Sequence, residues 1–234
     1  MERDVAAHND NDDANRLWPL AFKAAIFDFD GTISDTAALW RQVDEASLGS
    51  RGIECPKDYS RTLSALGFAA GARYTIERFG LSETTQEICD EWNQMGRTLY
   101  ESNVELRPGA ESYICALHRR GIPVALATTN DRDVLDAMRH VDVNSLFDVR
   151  VHTGELGLAK DRPEVYLDTA QRLGVRPEEC IVFEDLAVAV RSAQATGMAT
   201  CGIRSNDPTQ DVSELRAVSD LWLDDWQDID VDRS

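Results

Sequence analysis

No uninterrupted apolar run in these 234 residues approaches the roughly 20 that a membrane-crossing helix needs. The N-terminus lacks a basic start followed by an apolar stretch, so no secretory signal is visible. Positive charge is in short supply: 24 Lys and Arg against 42 Asp and Glu leave a formal charge of −18. A surface that negative argues against nucleic acid and against an anionic membrane as partners. It leaves room for a phosphorylated small molecule, because a local site can carry its own cations. Paired cysteines are missing as well. Cys55, Cys89, Cys115, Cys180 and Cys201 are odd in number and form no C-x-x-C pair. That fits a reducing compartment better than a disulfide framework or a zinc site, so a cytoplasmic location is expected. No internal repeat is visible.

What is present is ordinary in bulk and specific in pattern. Apolar content is 43%, and the length suits one large domain or a core with a smaller inserted one. Residues 1–20, with "MERDVAAHNDNDDANR", lack periodicity and read as a disordered tail. The acidic "LDDWQDIDVDRS" reads as a solvated terminus. Between them, short apolar runs alternate with amphipathic stretches. "KAAIFDF", "IPVALAT" (122–128), "ECIVFE" (179–184) and "ATCGIR" (199–204) predict buried strands. Residues 110–121, 162–175 and 186–198 have helical spacing, with Pro163 suited to a first turn and Gly174 to a C-cap. Strand and helix in alternation predict an α/β fold, a parallel sheet with helices on both faces. Residues 37–105 break the rhythm with three helical stretches and no strand, the pattern of a small inserted lid. The expected division is a core of 21–36 and 106–225 with a helical domain of 37–105.

In a parallel sheet, ligands bind beyond the carboxyl ends of the strands. The first strand ends in Asp28-Phe29-Asp30-Gly31-Thr32, the second in Thr128-Thr129-Asn130, and that at 179–184 in Glu184-Asp185. Lys160 stands in a loop just before a helix. One edge thus gathers four carboxylates, hydroxyls and an ammonium. Four carboxylates cannot all ionise cheaply in one pocket without a cation, and oxygen ligands favour a hard ion such as Mg²⁺. Strand alternation would send Asp28 and Asp30 to opposite sides if the strand simply continued, while Gly31 permits a sharp turn. Each of these residues alone is an ordinary loop acid, turn residue or solvated lysine; their order along the chain carries the reading.

"FDFDGTISDT", "LATTN", Lys160 and "CIVFEDLAVAV" resemble the four successive motifs of the haloacid dehalogenase superfamily, over residues 24–204. The insert resembles the α-helical cap of its β-phosphoglucomutase-like and phosphoglycolate-phosphatase-like branch. The resemblance implies a Rossmann-like core and a phosphatase acting on a phosphorylated small molecule. Asp28 would be the nucleophile, forming an aspartyl phosphate, and Asp30 the general acid and then base. Thr128, Thr129, Asn130 and Lys160 would bind phosphate, and Asp28, Asp30 through its carbonyl, Glu184 and Asp185 would hold Mg²⁺.

The chain also departs from the family pattern. The third motif has Asp161 where a proline is usual, and Leu186 and Ala189 replace a small polar residue and a glycine in the fourth, which puts metal affinity in question. Trp40 stands where the mutase places a histidine that restrains the general acid, so Asp30 is expected to be free to activate water. A phosphosugar mutase and a non-catalytic binding module remain the alternatives; a dehalogenase lacks the second acid that Asp30 supplies. In the insert, Trp40, Arg41, Arg73 and Arg78 are candidates for reading the substrate, with Arg73 following a small-residue loop that would face the site.

Overall fold

The computed structural model describes residues 10–18 and 22–232. Six parallel strands form one sheet: β1 (Ala24–Phe27), β2 (Val124–Thr128), β3 (Val149–His152), β4 (Cys180–Glu184), β5 (Ala199–Ile203) and β6 (Leu221–Leu223). They run in the order β3-β2-β1-β4-β5-β6. β1 is therefore central, with Phe27 in register with Leu126 on one side and Phe183 on the other. This is the expected α/β Rossmann-like sheet.

The period of two along β1 explains why helices must cover both faces. Ala25 and Phe27 belong to one core with Tyr113, Ile114, Leu117 and Phe183. Ala24 and Ile26 belong to the other with Val165, Tyr166, Val182 and Ala193. In chain order the helices are α1 (Asp10–Leu17), α2 (Ala37–Ser50), α3 (Tyr59–Leu66), α4 (Phe68–Phe79), α5 (Thr85–Asn103), α6 (Ala110–Arg119), α7 (Arg132–Leu135), α8 (Val143–Leu146), α9 (Thr153–Leu156), α10 (Glu164–Leu173), α11 (Ala187–Gln194) and α12 (Val212–Val218). Helix α6 supplies the first face, and α10 and α11 the second. The last turn of α10 is closed by Gly174 in the left-handed conformation, as its sequence indicated. All five cysteines are free. Among the described residues no helix is long and apolar enough to cross a membrane.

Helices α2–α5 follow β1 without an intervening strand and lean over the carboxyl edge of the sheet. Helix α5 opens with a capping box: the Thr84 hydroxyl accepts from the Glu87 amide, and the Glu87 carboxylate accepts from the Thr84 amide at 2.8 Å. Gly67, at φ +74°, forms the corner between α3 and α4. Its positive φ favours glycine, and a Cβ there would also stand 3.0 Å from Thr153 Oγ1 at the start of α9. The Lys160 amide donates to the Ala65 carbonyl (3.1 Å), and Arg41 pairs with Asp207 (2.9 Å), tying the helices to the sheet edge.

Two expectations for the termini are corrected. Within the stretch read as a disordered tail, residues 10–17 are helical, Leu17 and Trp18 are buried, and Asp13 accepts from the Trp222 amide. Residues 1–9 and 19–21 lie outside the described residues. The acidic C-terminal stretch is not simply solvated: Trp226 is 1% exposed and Ile229 is buried. The Trp226 ring lies 5.8 Å from Phe27 and 5.3 Å from Phe183, which themselves stack at 4.7 Å. Its Nε1 donates to the Thr32 carbonyl (2.9 Å). One apolar ring among acids outweighs the surrounding charge because the acids point to water while the ring fills the core.

Replacing Trp226 with alanine should therefore cost about 3–5 kcal/mol of stability, as for a large buried aromatic. Urea unfolding measures this; a loss below about 1 kcal/mol would show that the C-terminal segment does not anchor the core.

Candidate active site

The first strand ends at Phe27, and the chain then turns sharply. The Asp28 amide still donates to the Phe183 carbonyl (3.0 Å), while the Gly31 amide donates to the Ser34 carbonyl and the Ile33 amide to the Phe29 carbonyl. Gly31 sits at φ +80°, and a Cβ on it would fall 2.1 Å from the Asp185 carboxylate. Glycine is thus needed twice, for the turn and for the approach of Asp185. The turn also overrides strand alternation: Asp28 and Asp30 line the same cavity, of about 110 Å³.

Lys160 is the hub. Only 1% exposed, it donates to Asp28 Oδ1 and to Glu184 Oε1, the latter at 2.5 Å. Tyr166 donates to the same Glu184 oxygen (3.1 Å), and the Asp185 amide to the other (3.2 Å). Thr32 donates to Asp28 Oδ2 (3.1 Å). Asp28, Glu184 and Asp185 bring carboxylate oxygens within 4.8 Å of one another, a group able to hold a metal ion. Its donors are all hard oxygens. Burial pushes the Glu184 carboxyl up, against the pull of Lys160 and with a further push from Asp28. Burial, Asp28 and Glu184 push Asp185 well up. A lysine alone does not balance these acids, and a divalent cation fits the deficit.

Asp30 occupies a separate niche, and its carboxylate is not one of that group. One oxygen accepts from the hydroxyls of Thr36 and Tyr100, the other from Asn130 Nδ2 (2.6 Å). Burial and the neighbouring Asp28 push its carboxyl up to about 6, although Thr36, Tyr100 and Lys160 pull the other way. Trp40 Nε1 donates to the Tyr100 hydroxyl (2.8 Å). This corrects the expectation that replacing a histidine by Trp40 leaves Asp30 unrestrained: the indole acts through Tyr100.

Thr129 and Asn130 line the cavity; Thr128 is fully buried, its hydroxyl accepting from the Asn130 amide (3.1 Å). Trp40 and Arg41 line the cavity too. Arg73 does not: it is exposed on α4, whose small residues Gly71 and Ala72 turn inward instead. Arg78 is held on the surface of the insert by Asp58 (2.8 Å) and Tyr74. Leu186 lines the cavity, and Ala189 is packed in the core. Tyr100, Thr36 and Tyr166 escaped the sequence reading because a lone hydroxyl at helical spacing carries no signal of which carboxylate it will meet.

The model of the haloacid dehalogenase-like hydrolases matches residues 22–197. A putative phosphatase of Bacillus subtilis, YhcW, is 32% identical over 194 residues, covering 80% of this chain and 85% of that protein. A phosphorylated carbohydrates phosphatase of Thermotoga maritima is 27% identical over 177 residues, 75% and 82% of the two chains. The solved β-phosphoglucomutase of Clostridium difficile shares the fold, with a TM-score of 0.75 at 22% identity over 88% of this chain and 92% of that one. The chain belongs to the haloacid dehalogenase-like hydrolase family.

Removing Lys160 should leave Asp28 and Glu184 buried without their cation. We expect Lys160→Met to lose about 3–5 kcal/mol in chelator-treated protein. The loss should grow from pH 5 to pH 8. Burial already raises the Glu184 carboxyl; without the opposing pull of Lys160 it sits further above its unfolded value of about 4.3, so stability falls as pH rises through that window. Chemical unfolding at the two pH values reads this, and an equal deficit at both would contradict the pairing.

Proposed function

We propose that the chain is a Mg²⁺-dependent phosphatase of a small phosphorylated metabolite, acting through an aspartyl phosphate on Asp28. The observation that carries this reading is the pairing of buried Asp28 with Lys160, beside a second carboxyl, Asp30, that lines the same cavity and is raised to about 6. A nucleophilic carboxylate paired with an ammonium, next to a separate acid, is what a two-step displacement requires.

In the first step an Asp28 oxygen bonds to phosphorus and the bond to the leaving oxygen breaks. Protonated Asp30 gives that oxygen its proton. In the second step Asp30, now ionised, takes a proton from water as the water attacks phosphorus and Asp28 departs as carboxylate. Lys160 holds Asp28 and neutralises charge that the phosphoryl oxygens bring, with Thr129 and Asn130, which line the cavity, as further donors at the end of β2 and Thr128, buried behind them, bracing the Asn130 amide. Asp28, Asp185 with Glu184 beside it, and the Asp30 carbonyl would hold Mg²⁺, which supplies charge neutralisation for the phosphoryl group. Helices α2–α5, within residues 37–105, act as a cap over the carboxyl edge of the sheet, excluding bulk water while closed.

Hydrolysis is preferred over transfer within one sugar because the donors that hold Asp30 in this closed arrangement include Tyr100 from α5. A cap that opened between the two steps would withdraw Tyr100 and Trp40 together, leaving Asp30 to meet water before any second sugar oxygen. With Mg²⁺ present, Asp28→Asn should retain the fold by circular dichroism while lowering phosphate release about 10³-fold or more; wild-type turnover by that variant would contradict the nucleophile. Incubated with β-glucose 1-phosphate, the enzyme should release phosphate, if it turns over at all, without accumulating glucose 6-phosphate. Rapid formation of glucose 6-phosphate would favour the mutase.

A further inference from the structure

Asp44 has no part in the chemistry above, yet it is buried and lines the cavity. It lies on α2, four residues after Trp40 and three after Arg41, so the three share one helix face. Its polar neighbour on α3 is Ser60, which lines the same cavity. Burial pushes its carboxyl up to about 7, with Ser60 and Arg41 opposing and Glu45 adding to the rise; Cys55 and Tyr59 are its other titratable neighbours. Burying a carboxylate with only a neutral partner is costly. A ligand that donates hydrogen bonds would relieve that cost.

The cations of the cavity are already engaged. Lys160 is held by Asp28 and Glu184, and Arg41 by Asp207 at 2.9 Å. A second phosphate in this space would meet Asp44 and Asp207 with no further cation among the described residues of the cavity. Trp40, Phe68 and Trp92 form an apolar wall suited to C–H faces.

We infer that Asp44 is a specificity residue of the cap: it accepts a hydrogen bond from a hydroxyl of the leaving group, and the cavity takes hydroxylated phosphate monoesters while rejecting bisphosphates. The inference rests on the phosphatase reading for its kinetics and on the cavity alone for binding. A site that hydrogen-bonds a substrate hydroxyl discriminates strongly against partners that lack it, because its own polar group is otherwise left unpaired.

The test compares wild type and Asp44→Ala on sorbitol 6-phosphate, glycerol 1-phosphate, fructose 1,6-bisphosphate and p-nitrophenyl phosphate with Mg²⁺. The wild type should favour at least one hydroxylated monoester over the bisphosphate by about tenfold or more in kcat/KM. In Asp44→Ala the ratio of kcat/KM for that monoester to p-nitrophenyl phosphate should fall by about 10–100-fold, chiefly through KM. Ser60→Ala should shift the ratio the same way by less. Preference for the bisphosphate, or an equal loss on both esters in Asp44→Ala, overturns the inference. Calorimetric binding of the same monoesters to Asp28→Asn and to Asp28→Asn/Asp44→Ala separates the two readings. Weaker binding by the double variant upholds the role of Asp44 even where no ester is hydrolysed. Equal affinity, or no binding of either monoester, overturns it.

Discussion

A single ammonium buried among carboxylates is the constraint around which this molecule is arranged. Lys160 touches Asp28 and Glu184 at the carboxyl edge of the sheet, with Asp185 and Asp30 close behind. In a water-poor pocket such charges interact far more strongly than at a surface, and leaving any one unpaired is expensive. The neighbouring structure is built to hold them. Tyr166 fixes Glu184 from the far face of the sheet, Gly31 leaves space for the Asp185 carboxylate, and Trp226 grips the Thr32 carbonyl at the back of the turn. The central position of β1 makes this possible, because its two neighbours, β2 and β4, end beside it and deliver their own polar residues to the same place.

The helical insert acts on the same electrostatics. By covering the strand ends it desolvates Asp30 and raises its carboxyl to a range useful for a proton donor near neutrality. It also supplies the Trp40–Tyr100 chain that holds Asp30 in place. In the proposed mechanism, chemistry and cap are thereby linked through one carboxyl group. The Arg41–Asp207 pair and the Gly67 corner hold the insert down at points away from that carboxyl.

Much of this was legible in the sequence where the physics is local. β1, β2, β4 and β5 are short apolar runs, and the acids that follow them announce a polar strand end. β3 was not legible, because Arg150 and His152 alternate with its two valines; in the fold both are buried, Arg150 against Asp136 (2.7 Å) and His152 against the Asn130 carbonyl (2.8 Å). β6 has only three residues. The helix at Asp10–Leu17 carries too little apolar character to stand out; Leu17 and Trp18 owe their burial to the surface they meet. That Asp28, Asp30, Glu184 and Asp185 gather at one edge was readable from their places at strand ends, and Lys160, in a loop before a helix, from the motif it resembles. Their supports Tyr100 and Tyr166 were not, since those contacts join positions 70 and 18 residues apart. Arg73 was misplaced for the opposite reason: small residues beside it suggested a loop facing the site, whereas they are the packed face of a helix.

The central claim is that the buried acids at this sheet edge exceed what Lys160 can balance and so form a divalent-cation site. Calorimetric titration of Mg²⁺ into the metal-free protein, with Asp185→Asn as comparison, tests it most directly. The account predicts saturable one-site binding with a matching rise in melting temperature, both lost or severely weakened in the variant. Absence of binding by the wild type at millimolar Mg²⁺, or undiminished binding by Asp185→Asn, would contradict it.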